Sequence, residues 1–221
     1  MKTIILALVA VVGLAFSAKA VDKDQLDARI KSLTAQFTAM QQNEATRVPA
    51  DVLSKAYGII LLDRTKGAFL FGYHSGNGIA LVKDSSGNWS PASFVSSTGA
   101  SLGVQIGGTK DFFVILMMSP NATEALRESV IDLGANTSAT GGTAHGGMEG
   151  SLPSRNTMVY GAHNGVFAGA AIQGGSISTD DDSNSIYYGQ TVSASGILFD
   201  NKVTRTPAED QLVAAINQYS K

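Results

Sequence analysis

Glycine is distributed very unevenly along this chain, and its distribution constrains the fold more than any other feature does. Of the 24 glycines, 21 lie between Gly58 and Gly175. They alternate there with short apolar runs, and such runs bounded by glycine-rich turns are typical of β-strands. The runs comprise residues 59–62, 68–73, 79–82, 102–106 and 112–118. The central part of the chain is therefore predicted to form a sheet.

Three details refine this sheet. Residues 75–78 read Ser-Gly-Asn-Gly between two apolar runs, which predicts a hairpin turn. Residues 112–118 are apolar at every position and therefore indicate a strand buried on both faces. Two glycine-rich stretches, 99–108 and 165–175, resemble each other, and the first leaves one strand face almost without side chains, which allows another segment to approach closely or the sheet to bend into a barrel.

Helical patterns precede, interrupt and follow the predicted strands. From residue 22 to 42, apolar side chains recur at spacings of four and three, which places them on one face of an amphipathic helix. Further helices are predicted at 49–58, from Ser119 to about residue 133, and after the capping box that opens at Thr206. The sequence therefore predicts an α+β fold: a mainly antiparallel, barrel-like, glycine-rich sheet with an N-terminal amphipathic helix and peripheral helices.

Residues 1–20 have the pattern of a secretory signal peptide. Lys2 precedes an apolar run of thirteen residues, and Ala18-Lys19-Ala20 is the small-residue pattern at which signal peptidases cut. A helix of that length rises only about 20 Å, short of the roughly 30 Å hydrocarbon core of a bilayer, which disfavours a membrane anchor. We expect a periplasmic or secreted protein with an N-terminal amphipathic helix and linker (21–47) followed by one domain (48–221).

Composition argues against several classes of function. The chain has no cysteine, so it forms no disulfide and offers no cysteine for lipid attachment. Loss of Lys2 and Lys19 with the signal peptide leaves 14 basic against 18 acidic side chains, a balance that does not favour nucleic acid. Neither of the common glycine-rich phosphate loops occurs in usable form, so we expect no nucleotide and no other cofactor.

Catalytic and metal-binding patterns are equally weak. His74, His145 and His163 lie in glycine-rich surroundings without the spacing or partner ligands of a zinc site. No Gly-x-Ser-x-Gly elbow marks a nucleophile, and the sequence therefore predicts a protein that is not an enzyme. The acidic run at residues 180–184 lacks the ligand spacing of an EF-hand; it favours a solvated turn, with a weak Ca²⁺ site as the alternative.

Trp89, the only tryptophan, lies between a turn predicted at Gly87 and Asn88 and the ring of Pro91. Two roles are open for it. It can clamp a ligand, or it can act as a structural pin that fills the gap left by facing glycines while its indole N–H donates to a carbonyl. The packing of a large aromatic side chain in a glycine-rich sheet favours the pin.

Several short motifs occur in a characteristic order. They are Lys66-Gly67, the glycine pair Gly76 and Gly78, Gly87-x-Trp89-Ser90-Pro91, Gly103-x-Gln105-x-Gly107, and Asp111 before an apolar strand. With these motifs, residues 48–219 resemble the SYLF domain, the module of the yeast actin-patch lipid-binding proteins and of their bacterial relatives.

This resemblance implies a lipid-binding role. In eukaryotic members, an N-terminal amphipathic segment helps the domain to bind phosphoinositide membranes, and some members bind or bundle actin. The present chain departs from that pattern at Asn164, where the family often has a basic residue, and in a first helix whose polar face has no basic excess. Because an exported protein would meet neither actin nor phosphoinositides, phosphoinositide specificity is not carried over.

Two hypotheses follow. In the first, an exported, membrane-associated protein binds lipid through apolar side chains rather than through charge. In the second, a structural or partner-binding envelope protein uses the same helix against its own sheet or a protein partner, and burial of the helix stripe would favour this alternative. The candidate lipid-contact residues are the stripe of the first helix, Leu26, Ile30, Leu33, Phe37 and Met40, with Lys66 and Trp89 at the level of the lipid headgroups.

Overall fold

A computed structural model describes residues 21–68, 72–101, 107–133, 140–141, 148–152, 155–162 and 175–221. The helices are α1 (Lys23–Gln42), α2 (Ala50–Lys55), α3 (Pro120–Thr123), α4 (Asp181–Tyr188), α5 (Ala194–Leu198) and α6 (Pro207–Tyr219), and a 3-10 turn (Glu124–Arg127) follows α3. The strands are β1 (Gly58–Ala68), β2 (Gly72–Val82), β3 (Ser93–Ser101), β4 (Gly107–Met117), β5 (Val130–Leu133), β6 (Thr140–Gly141), β7 (Met148–Leu152), β8 (Arg155–Ala162) and β9 (Gly175–Thr179).

The described strands form one sheet in which every pairing is antiparallel. Their order across the sheet is β5-β9-β3-β2-β1-β4-β8-β7-β6. β1 lies at the centre, and each of its eleven residues pairs with both β2 and β4. The predicted α+β fold with a mainly antiparallel sheet is therefore confirmed.

The sheet is open, so the expectation of a barrel is wrong. β5 and β6 lie at its two ends, and no pairing joins them within the described residues. Both faces of the sheet pack against helices, whereas a closed barrel encloses one of its faces, so the open arrangement fits the two-sided packing. Most of the two glycine-rich stretches on which the expectation rested lies outside the described residues.

The hairpin turn predicted at residues 75–78 is also wrong, because these residues lie inside β2. Gly76 pairs with Arg64, and Gly78 pairs with Leu62. A Cβ atom at Gly76 would lie 2.7 Å from the carbonyl oxygen of Asp63, and one at Gly78 would likewise meet a β1 carbonyl. The two glycines therefore permit a close approach of β2 to β1, which is the other use of glycine in a strand.

The helix predicted from Ser119 to about residue 133 is much shorter in the structure. Ser119 caps its start as expected, since its side chain accepts a hydrogen bond from the Ala122 amide at 3.2 Å. The helix ends at Thr123, and β5 begins at Val130. β-Branched residues such as Val130 and Ile131 favour an extended strand, and β9 supplies the hydrogen-bonding partner.

Helices cover both faces of the sheet. One face, here called the α1 face, is covered by α1, α2, α4 and α6. The opposite face, here called the α3 face, is covered by α3, the 3-10 turn and α5. The side chains of successive residues in a strand point to opposite faces of the sheet. Ile59 and Leu61 therefore lie in the core of the α1 face, and Ile60 lies in the core of the α3 face. Residues 112–117 are at most 5 % exposed, which confirms a strand buried on both faces.

The first and last helices lie where the sequence predicts them. α1 covers Lys23–Gln42, and α6 opens with the predicted capping box, in which Glu209 accepts from the Thr206 amide at 2.6 Å. The short helix predicted at 49–58 is present as α2, but it ends at Lys55, because Gly58 is already the first residue of β1. None of the helices in the described part of the chain is both long and apolar enough to cross a bilayer.

Candidate functional site

The stripe of α1 lies in the hydrophobic core, where its five residues are at most 3 % exposed. They pack against apolar side chains of the sheet and of α6, and the rings of Phe37 and Tyr219 meet edge to face with centroids 6.1 Å apart. The stripe offers no surface to a bilayer while α1 is in place. Lipid contact by the stripe therefore stays a prediction, and it requires α1 to move away from the core. This holds for all five residues of the stripe: Leu26, Ile30, Leu33, Phe37 and Met40.

Two polar contacts between α1 and the rest of the described chain are long. Gln36 Nε2 donates to Asp63 Oδ2 at 3.4 Å, and Arg29 Nη1 lies 3.9 Å from Asp180 Oδ2. Burial lowers the pKa of Arg29, and the negative charge of Asp180 opposes this only in part. These two contacts are weak at such distances, whereas Gln41 near the end of α1 accepts from the Val48 amide at 2.8 Å, so the attachment of α1 combines the apolar stripe with this buried hydrogen bond.

Trp89 lies in the same core and is 3 % exposed. Its backbone bridges to Lys83, whose Nζ lies 4.7 Å from the centroid of the indole ring and donates to the Ser54 carbonyl at 2.9 Å. Arg205 Nη1 donates to the Trp89 carbonyl at 2.5 Å. These contacts favour the structural pin over the ligand clamp. The predicted hydrogen bond of the indole is wrong, because the buried Nε1 atom has no acceptor among the described residues.

The turn before Trp89 is present as predicted and is built on Asp84. The Asp84 Oδ1 atom accepts from the amides of Ser86 at 2.8 Å and Asn88 at 2.9 Å, and Gly87 adopts a positive φ of 83°. The hydrogen bond from the Asn88 amide is the largest of the contacts that lower the pKa of Asp84. The turn brings the chain back on itself, so that Trp89 lies opposite Lys83, just past the end of β2.

Glu209 is a fully buried carboxylate that joins three parts of the fold. Besides the Thr206 amide, it accepts from the Ala92 amide at 2.6 Å and from Tyr188 Oη at 2.6 Å. Burial is the main reason why the pKa of Tyr188 is raised, with the charge of Glu209 second. The capping box identified Glu209 as a helix-start residue, but its contacts with residues far along the chain were not predicted.

The acidic run at residues 180–184 forms the start of α4, so the predicted solvated turn is wrong. Asp180 caps the helix by accepting from the Ser183 amide at 3.0 Å. Asn184 is buried and accepts from the Phe94 amide at 2.7 Å. Among the described residues, no three His, Cys, Asp or Glu side chains lie close enough together to hold a metal ion.

A buried pair of opposite charges spans β1 and β4. Arg64 and Asp111 lie directly opposite each other and are 2 % and 3 % exposed. Burial lowers the pKa of Arg64, and the charge of Asp111 opposes this effect. Asp111 belongs to the motifs of the sequence, whereas Arg64 was missed; the available signal was the pair of charged residues, Asp63 and Arg64, that follows the apolar run 59–62.

Lys66 is the remaining candidate for lipid contact. Lys66 lies in β1, opposite His74 of β2 and Thr109 of β4. Its contact with lipid headgroups stays a prediction. His145, His163 and Asn164 lie outside the described residues.

Fold and site together define an α+β domain in which helices cover both faces of an antiparallel sheet and buried polar side chains join distant segments. A sequence model of the Ysc84 family, described as Las17-binding protein actin regulator, matches residues 98–219. The chain therefore belongs to the Ysc84 family, whose domain is the SYLF domain, and the resemblance seen in the sequence is confirmed.

Curated relatives come from fungi and animals. LAS seventeen-binding protein 3 of Saccharomyces cerevisiae is 28 % identical over 171 residues, which covers 75 % of this chain and 37 % of the relative. SH3 domain-containing YSC84-like protein 1 of Pongo abelii is 30 % identical over 167 residues, which covers 74 % of this chain and 49 % of the relative. The chain thus spans about half or less of the length of these relatives. No solved structure matches the chain significantly.

Proposed function

We propose that this protein is an exported, non-enzymatic binding protein that associates with membrane lipid. The observation that carries the proposal is the family match over residues 98–219, because SYLF proteins are associated with lipid binding and with actin patches. The names of the relatives describe binding proteins and SH3-containing proteins rather than enzymes. The signal-like residues 1–20 support export.

Burial of the α1 stripe sets a condition on how lipid is bound. Burying one large apolar side chain stabilises a fold by about 1.5–3 kcal/mol, so release of the whole stripe into water would cost on the order of 10 kcal/mol. A bilayer interface returns much of that free energy because the same side chains are again removed from water. Stripe-mediated binding would therefore be coupled to opening of α1 at the membrane surface.

Vesicle sedimentation tests the association itself. Residues 21–221 are mixed with zwitterionic vesicles and with vesicles that contain anionic lipid, and we expect the protein in the pellet with both. Since the chain carries no basic excess, the bound fraction should change little between low and high salt. Protein that stays in the supernatant with both kinds of vesicle would rule out lipid association.

A chemical bridge tests whether α1 must open. The chain has no cysteine, so Gln36→Cys and Asp63→Cys introduce the only two thiols at side chains that meet in the native structure. A short bis-maleimide then ties α1 to β1, and each single variant capped with a monofunctional maleimide is the control. We expect the bridged protein to lose vesicle binding and both controls to keep it. Equal binding by all three would exclude the stripe as the lipid contact.

A second function is favoured by the buried stripe: a structural or partner-binding envelope protein without specific lipid binding. In this alternative α1 stays in place, and the stripe belongs to the core permanently. The two functions differ in the sedimentation experiment, because the second leaves the protein in the supernatant with every vesicle composition.

A further inference from the structure

An open cleft of about 290 Å³ lies between the C-terminal half of α1 and the start of β4. Its apolar lining comprises the exposed Ala39 and the small accessible parts of Met40 and Phe112, which are 3 % and 5 % exposed. Its polar lining includes Gln36, Asn43 and Lys110. Ligand sites generally combine apolar walls with a few polar groups, so the cleft has the composition of a binding site for an amphiphile.

The polar side chains of this cleft differ in how far they are already engaged. Gln36 donates to Asp63, and Asn43 Oδ1 accepts from the Ala45 amide at 3.0 Å. Lys110 is exposed, and its side chain forms no ion pair or hydrogen bond with the described residues. Its ammonium group is therefore available to a ligand.

Asp111 also borders the cleft, but its carboxylate belongs to the other side of the sheet. Side chains alternate along a strand, and Phe112 lies in the core of the α1 face. Asp111 and Ile115 are four positions apart in β4, so their side chains lie on the same face, and Ile115 packs in the core of the α3 face. Asp111 lies there opposite Arg64 of β1. Lys110 is therefore the ionisable side chain that faces the cleft among the described residues that line it, and Asp63 lies beside the cleft on the same face of the sheet, opposite Phe112 and 3.4 Å from Gln36.

We propose that this cleft binds a single-chain anionic amphiphile of the fatty carboxylate class, with the carboxylate at Lys110 and the acyl chain along Ala39, Met40 and Phe112. The volume of about 290 Å³ supports one chain rather than two, because it lies just below the range of about 300–1,000 Å³ found for small-molecule sites. This inference rests on the proposed lipid-binding function and names a ligand class for it. It needs no movement of α1, unlike binding through the stripe.

Calorimetric titration of residues 21–221 tests the proposal with three soluble probes below micelle-forming concentrations. Dodecanoate carries both the chain and the negative head, dodecyltrimethylammonium carries the same chain with a positive head, and acetate carries the head alone. We expect dodecanoate to bind, and the other two probes to bind at least about tenfold more weakly because each lacks one half of the recognition. Equal affinity for the two twelve-carbon probes would overturn the role of Lys110.

Variants locate the binding. Lys110→Gln should weaken dodecanoate about fivefold, a typical contribution of an exposed charge pair, whereas Lys202→Gln at another exposed lysine should leave it unchanged. Ala39→Trp should fill the cleft from an exposed helix position and weaken dodecanoate about tenfold or more. The matched control is Ala28→Trp, also exposed on α1 but about 16 Å further along its axis.

Thermal unfolding of each variant shows that the fold is retained. Unchanged dodecanoate binding in Ala39→Trp would place the amphiphile elsewhere and overturn the cleft. Vesicle sedimentation of the same variants separates this proposal from the broader one. If the protein binds vesicles but not dodecanoate, the proposed amphiphile site in the cleft is contradicted and membrane association is not. If it binds dodecanoate but not vesicles, membrane association is contradicted and the site in the cleft is not.

Discussion

At the scale of single residues, Trp89 shows that burial and hydrogen bonding can be separated in one side chain. Its ring fills space in the core of the α1 face, and Lys83 packs over it. Its Nε1 atom has no acceptor in the described residues, although a buried indole N–H usually finds one. The stabilisation that Trp89 provides therefore comes from its volume and apolar surface.

Substitution of Trp89 tests this conclusion. Trp89→Ala should lower the free energy of unfolding by about 3–5 kcal/mol, because it leaves a large cavity. Trp89→Phe should cost less than half as much, because it keeps most of the ring and no hydrogen bond is lost. Urea unfolding monitored by circular dichroism measures both. A Phe variant as unstable as the Ala variant would show that the indole nitrogen has a partner after all.

At the scale of elements, Glu209 explains how α6 is attached to the remainder of the fold. Its carboxylate accepts hydrogen bonds from the start of α6, from Tyr188 at the end of α4, and from the backbone that leads into β3. A carboxylate has several lone pairs and no donor, so it suits a position that is surrounded by donors. The cap of one helix is thereby also the contact between three elements.

Glu209→Gln is the sharpest test of that arrangement. The amide keeps one oxygen but turns an NH₂ group toward a donor, so at least one buried donor loses its acceptor. We expect the free energy of unfolding to fall by about 1–3 kcal/mol, the usual cost of an unsatisfied buried polar group. Glu44→Gln, at an exposed position just after α1, is the matched control and should be neutral. Urea midpoints that agree for both variants would contradict the role given to Glu209.

At the scale of the whole molecule, α1 belongs to the same core as the sheet it covers. Its stripe packs with side chains from the sheet, α2, α4 and α6 in one apolar cluster. The sequence predicted a helix and linker at 21–47 ahead of a separate domain, and that boundary stays a prediction. The packing means that the two parts share their largest source of stability.

Removal of α1 tests how far the remainder can fold alone. Loss of the stripe would remove on the order of 10 kcal/mol of apolar burial, which is comparable to the whole stability of a typical domain. We therefore expect residues 48–221 to lose the near-ultraviolet circular dichroism signal and the cooperative urea transition of residues 21–221. A cooperative transition close to that of the longer chain would show that the domain folds without α1.

The parts of the fold that could be predicted depend on local patterns. Period and capping residues located α1 and α6, and the uniformly apolar run at 112–118 identified the doubly buried strand β4. The errors arose where a local pattern has two physical uses. Gly76 permits a close strand approach as well as a turn, and Asp180 caps a helix as well as facing water.

The candidate site was predictable only in part, for the same reason. Lys110 carries no sequence signal, since its role depends on the cleft that α1 and β4 form together. Arg64 pairs with Asp111 across 47 positions of sequence, and register between strands decides that pairing. The α1 stripe was recognised correctly as an apolar surface, but periodicity does not say which surface covers it.

The sequence by itself determined the α+β class, the family and the positions of the two long helices, because periodicity, capping and motif order are properties of neighbouring residues. Only the tertiary structure decided that the α1 stripe is buried, that Trp89 packs without an indole hydrogen bond, and that Lys110 faces an open cleft. These features depend on segments that lie far apart in the chain and come together only when the sheet and its covering helices assemble.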